Sequence, residues 1–218
     1  MSYDLYLRDP VTKKELQVPG HMMYGGNVAC TVIDGRLVPT TTTEAYLNIT
    51  YNYSKYYYEA FPSKEDNQEQ YAKDASEFSI VSTEGGIRSL NGMFGANAIP
   101  FLHEMIRRIT RKYQSDDGNW LITKREEKYW VNRSTGERKE YPEVLTEYLR
   151  LSTKYKSGEE ASQKMDEKYE SKTEIIEIDE GGSGDSYWTA TAANAIKPMY
   201  QLIALSQMRP DGVWSEES

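Results

Sequence analysis

YLNITYNYSKYYYEAF, residues 46–61, places seven aromatic side chains in sixteen positions, six of them Tyr. Its periodicity changes part-way, and that change sets the fold class. Up to Asn52 the residues alternate. Ala45, Leu47, Ile49 and Tyr51 fall on one face, with Tyr46, Asn48, Thr50 and Asn52 on the other, the period of two that marks a half-buried strand. From Ser54 the spacing lengthens. Tyr57 and Phe61, with Tyr53 or Tyr58, share one helical face, and Pro62 ends it because its ring cannot continue a helix. A strand running straight into a helix predicts an α+β class, a small antiparallel sheet with packed helices.

The flanking sequence extends this pattern. YDLYLR sets Tyr3, Leu5 and Leu7 against Asp4, Tyr6 and Arg8, a second alternating strand. VACTVI-DG-RLVP predicts a hairpin, since Asp34-Gly35 supplies positive φ between two β-branched runs, while Pro39 confines the return strand to an edge. SKEDNQEQYAKDASE, residues 63–77, is either a solvated helix or a loop. After Gly85-Gly86, a short element is ended by Gly92. ANAIPFLHEMIRRITRKY then predicts a helix with Leu102, Met105, Ile106, Ile109 and Tyr113 on one stripe. A last helix around AIKPMYQLIALSQM aligns Ile196, Met199, Leu202, Ile203 and Ser206, with Pro198 in its first turn or kinking it. The RPDG turn follows, and Trp214 is expected to pack back on the body.

The charge is −8, with a pI near 5.0, which opposes binding along a nucleic-acid backbone but suits docking on a basic protein surface. One cysteine, Cys30, leaves no internal disulfide, and MSYDLYLRDP has no signal-peptide pattern. No apolar run reaches the roughly 18 residues of a membrane span, so the expected location is cytoplasmic, the host cytoplasm for a phage-encoded chain, or inside a virion. Charge also marks boundaries. Residues 101–140 carry 10 basic and 7 acidic side chains, and residues 141–186 carry 6 and 12. QSDDGN at 114–119 and EGGSGDS at 180–186 bracket these blocks. Residues 115–184 are therefore expected to form an inserted module within a discontinuous domain of residues 1–114 and 185–218.

MSYDLYLRDPVT, TEAYLNITYNYS, GIRSLNGM, an Asp-x-Tyr-Trp-x-x-Thr start at 185–191 and MRPDGVW together resemble a family of small uncharacterised bacteriophage and bacterial proteins. The resemblance covers residues 1–60, 86–112 and 185–216. It implies a compact α+β domain and carries over no activity. Within the insertion, GNWLITKREEKYWVNRSTGERKEYP, residues 118–142, resembles a WW domain through Trp120, the pair Tyr129-Trp130, Asn132, Thr135-Gly136 and Pro142. That resemblance implies a three-stranded meander clamped by Trp120 and Pro142, but the later ligand-gripping Trp is replaced by Glu140 or Tyr141. A small β-meander decorating the main domain is the alternative. PEVLTEYLRLSTKYKSGEEASQKMDEKYE then predicts two charged helices with a thin apolar stripe.

Catalytic patterns are sparse. Two distant His, His21 and His103, with one Cys build no usual zinc site, and the acidic residues form no calcium loop. Neither a phosphate-binding glycine motif nor a G-x-S-x-G elbow is present. No catalytic residue, metal or cofactor is assigned, although Glu44 with Tyr51 and His21 leaves an enzyme conceivable. The Tyr cluster is either a half-wet core layer or a recognition surface. Its candidate contacts are Tyr46, Asn48, Tyr51, Asn52, Tyr53, Tyr56 and Tyr57, joined by Trp188, Asn194, His21, Arg88 and Arg209; within the insertion they are Trp120, Tyr129, Trp130, Arg133 and Tyr141.

Two functions follow. One is a phage-type accessory protein that binds and inhibits a host defence protein without catalysis. The other is a small-molecule or nucleotide binder, or an enzyme, with a pocket lined by His21, Asn48, Tyr51, Tyr53 and Trp188, where Arg88 or Arg209 holds phosphate. A virion structural role is a third. The insertion is the stronger candidate for a partner-specific surface.

Overall fold

A computed structural model describes residues 2–21, 23, 28–155, 157–182 and 187–217. The side chain of Pro142 lies outside the described residues, as does part of the Gly-flanked loop after His21 and of the expected linker at 180–186. In chain order the elements are β1 (Ser2–Arg8), β2 (Gln17–Pro19), β3 (Cys30–Ile33), β4 (Arg36–Pro39), β5 (Thr42–Glu44) and β6 (Tyr46–Thr50). There follow α1 (Ser54–Ala60), α2 (Gln68–Phe78), α3 (Gly95–Tyr113), β7 (Ile122–Asn132) and β8 (Arg138–Lys139). The chain ends with α4 (Tyr141–Lys154), α5 (Gly158–Lys168), β9 (Tyr169–Asp179), α6 (Ala192–Met208) and β10 (Val213–Glu217). This is an α+β protein. No helix among the described residues is long and apolar enough to cross a membrane.

The chain divides into two units, Met1–Leu121 with Asp179–Ser218, and Ile122–Ile178. Residues 115–121 and 179–182, expected in the insertion, fall in the first unit. The physical reason is local: Leu121 N donates to Tyr113 O, and Glu180 N donates to Leu121 O, so both segments are tied to the body.

In the first unit, β1 is the central strand of an antiparallel sheet ordered β10-β1-β6. Its alternation is realised: Tyr3, Leu5 and Leu7 are buried, and Leu5 faces Leu47, Tyr3 faces Ile49 and Leu7 faces Trp214 across the ladders. Each such aliphatic side chain taken out of water contributes about 1.5–3 kcal/mol. The apolar stripe of α3 is buried as its spacing requires, and it packs with Met199, Leu202 and Ile203 of α6 in the same core. Trp214 is fully buried and its Nε1 donates to Ser206 Oγ at 3.1 Å. Pro198 is the seventh residue of α6, past its first turn. Residues 68–78 form a helix rather than a loop, because Asn67 Oδ1 accepts from Gln70 N and fixes its start.

The second strand ends earlier than its alternation predicts. Thr50 Oγ1 accepts from Asn52 N, and this cap turns Tyr51–Tyr53 into one 3₁₀ turn leading into α1. Tyr51 therefore leaves the strand. The Asp34-Gly35 hairpin forms with both residues at positive φ (49° and 73°), but among the described residues β3 and β4 pair only with each other and stay exposed.

In the second unit the three-stranded sheet has the order β8-β7-β9. Trp130 pairs with Lys139, and Asn132 Oδ1 accepts from Ser134 N and Thr135 N to shape the turn. The expected meander within 118–142 is thus corrected: its third strand is β9, which arrives only after α4 and α5. The cause is packing. Val144 and Leu151 of α4, with Ala161 and Met165 of α5 and Tyr169 of β9, form a second core against which Trp130 rests.

Candidate functional site

Most of the Tyr-rich segment, a candidate site by its composition, is structural. Tyr53, Tyr56 and Tyr57 are buried at 0%, 1% and 0% exposure, so none presents a free contact face. Helix α1 turns them inward because residues 53, 56 and 57 share its core-facing side. The Tyr57 hydroxyl donates to Ala195 O at 2.9 Å. The Tyr56 hydroxyl lies 2.8 Å from both Glu180 Oε2 and Ala190 O. The same Glu180 oxygen accepts from Ala192 N, placing a buried carboxylate at the positive end of α6.

The outer face of the sheet carries a separate polar layer. Tyr46 stacks on Tyr6 with ring centroids 4.6 Å apart, and its hydroxyl donates to Asp4. Asn48 Nδ2 donates to Ser2 Oγ and Asp4 Oδ1. At the sheet end, Ser54 Oγ donates to Tyr51 O, so the Tyr3 hydroxyl, 2.6 Å away, donates to Ser54. Burial pushes the Tyr3 phenol up to about 12. The Arg88 guanidinium stands over the Tyr3 and Tyr51 rings, donates to the Tyr51 hydroxyl, and pairs with Glu216 and Glu84. Arg209 is held by Asp211 and by Gln17 O.

The remaining predicted residues separate further. Asn52 Nδ2 donates to Trp188 O, and Tyr187 bridges the exposed Trp188 ring to Tyr53. Asn194 is buried in the first turn of α6, where Nδ2 donates to Thr189 O and Oδ1 accepts from Lys197. His21 is half-buried, its Nδ1 accepts from Met23 N, and desolvation lowers its pKa. Asn48 lies on the outer sheet face while Tyr53 lies within the core, so the five-residue pocket expected from the sequence is not assembled. Chemically, these groups fix the sheet, α1 and α6 to one another.

Among the insertion's candidates, Trp120 packs on the first unit's core. Trp130 lies in the second unit, tilted against Tyr141 at 5.9 Å. The Arg138 guanidinium covers Tyr129 at 4.2 Å, and Arg133 Nε donates to Asp166 O. Tyr141 is different: it is 58% exposed at the first position of α4, followed at i+4 and i+8 by Leu145 (37%) and Leu149 (54%). Beside this stripe lies a groove of about 300 Å³ lined by Val144, Tyr148 and Met165. The spacing of Leu145 and Leu149 was present in the sequence, but nothing there distinguishes an apolar position facing a core from one facing solvent.

No family model, curated protein or solved structure matches this chain.

Proposed function

We propose that this protein acts by binding, as a phage-type accessory protein that holds and blocks a host defence protein without catalysis. The observation that carries this reading is the uncovered stripe Tyr141–Leu145–Leu149 beside the Val144–Met165 groove. Anchors at i, i+4 and i+8 on one helix, next to a shallow apolar groove, suit an amphipathic helix from a partner protein. Exposed apolar patches of this kind mark interaction surfaces. Aromatic anchors such as Tyr141 carry much of the energy in such interfaces, while the Leu side chains add apolar complementarity. The resemblance to bacteriophage-encoded proteins directs the partner towards the host.

The test is co-purification from a bacterial host lysate, followed by mass spectrometry of what is retained. A protein held by the wild type and lost with the Leu145→Ser, Leu149→Ser double variant supports the reading. Retention of nothing, or retention indifferent to both substitutions, counts against it.

A further inference from the structure

The second half of α3 places four cations, Arg107, Arg108, Arg111 and Lys112, along a cleft of about 600 Å³. They fall within about one and a half turns, so Arg107 with Arg111, and Arg108 with Lys112, are like-charged pairs at i,i+4 that weaken a helix. Carboxylates offset most of this. Arg108 gives two N–H groups to buried Asp74, at 2.9 and 2.7 Å, and its Nε to Glu104. Arg107 forks onto Glu104 with two bonds of 2.6 Å, and Lys112 sits 3.0 Å from Glu59. Three carboxylates thus meet four cations. Among the described residues the Arg111 side chain makes no hydrogen bond or ion pair.

Basic residues in a last turn are favoured by the helix dipole, which explains why Arg111 and Lys112 are tolerated. It does not explain the cleft, which Asn67 and Gln70 of the α2 region also line; Asn67 Oδ1 caps α2 there, and Gln70 Nε2 donates to Asp74 Oδ1 at 2.9 Å.

We propose that this cleft binds the phosphoryl group of a small molecule, with Arg107 and Arg111 closing on it from successive turns. Guanidinium forks match phosphate oxygens with paired, planar donors. Arg107 is oriented by Glu104, yet its side chain is 59% exposed, which leaves donors directed to solvent. The volume lies in the range that small-molecule sites occupy, roughly 300–1,000 Å³. Glu59 and Glu104 keep the local charge modest, which suits one phosphoryl group rather than a nucleic-acid backbone. Arg88 and Arg209, the cations that the sequence marks for phosphate, are spent on Glu216 and Asp211. This inference is independent of the partner-binding reading.

Calorimetric titration with inorganic pyrophosphate, and separately with a nucleoside diphosphate, tests it. Saturable one-to-one binding is expected, weakened roughly tenfold by Arg111→Gln and again by Arg107→Gln, each step equivalent to about 1.4 kcal/mol. Lys164→Gln on α5 leaves it unchanged and controls for general charge. Equal affinity for the two probes assigns recognition to the phosphoryl group alone, and tighter binding of the nucleoside diphosphate adds a contact to the nucleoside; both support the proposal. Both arginines are exposed, so their variants should melt with the wild type. Absence of saturable binding by either probe overturns the proposal. So does binding that survives both substitutions in a folded variant, or binding of a hexaglutamate peptide with neither phosphate probe.

Discussion

At the scale of single residues, the tyrosines of this chain act as hydrogen-bonding core residues. Tyr56 is the clearest case, because its hydroxyl reaches a buried carboxylate at the start of α6. Replacing Tyr56 with Phe leaves the ring packing intact but removes that bond. The expected cost is about 1.5–3 kcal/mol, the range for hydrogen bonds to charged groups, read as a lower denaturant midpoint with unchanged slope. A loss below about 0.5 kcal/mol would mean that Glu180 is held well enough by other donors. Which tyrosines face inward was only half legible in the sequence. The period of two from Ala45 to Ile49 placed its apolar members correctly. The Thr50 cap that redirects Tyr51 is a single side-chain hydrogen bond, and alternation cannot encode it. Likewise Asn194 looks like a recognition amide in sequence, yet it serves the first turn of its own helix.

At the scale of elements, α4 has two apolar faces with opposite fates. Val144 and Leu151 are buried in the second core, while Leu145 and Leu149 remain uncovered. Leu151→Ala should cost about 2–4 kcal/mol of stability, as truncations of buried Leu do. Leu149→Ser should shift the thermal midpoint little, since surface changes usually stay within about 0.5 kcal/mol. A comparable loss from both would show that the outer stripe is a packing face. The hairpin of β3 and β4 makes a similar point about legibility. Asp34-Gly35 announced its turn correctly, because positive φ is a local demand. Whether its Val32, Ile33 and Leu37 would be covered depends on distant chain, and they are not. The third strand of the second unit failed for the same reason: β9 lies some 30 residues beyond β8, outside any local motif.

At the scale of the whole molecule, the 18 tyrosines make alkaline pH a probe of the fold. Burial holds the Tyr3 phenol near 12, and it pushes Tyr53, Tyr57 and Tyr113 upward as well. An unfolded chain ionises its phenols near 10. Between about pH 10 and 12 the folded chain therefore keeps protons that the unfolded chain has released, and stability falls as pH rises. Below about pH 10 this contribution is fully present. Denaturant midpoints measured at pH 8 and pH 11 should differ in that direction, with the phenolate absorbance appearing together with loss of ellipticity. Phenolate absorbance that develops fully with ellipticity intact would sink the argument. Acidic unfolding draws on other groups, since Glu104 and Glu147 are held below the ordinary carboxylate range by Arg107 and Lys168.

The hydrogen bond from Glu180 N to Leu121 O has an evolutionary consequence. The chain leaves the first unit and re-enters it at adjoining backbone groups, so whatever lies between Ile122 and Ile178 needs only two neighbouring ends. Such a joint is a socket. Loop-closure entropy grows slowly with length, so the joint tolerates modules of different sizes at a similar cost. A lineage carrying this frame could exchange one inserted module for another and leave the core sheet, α3 and α6 untouched.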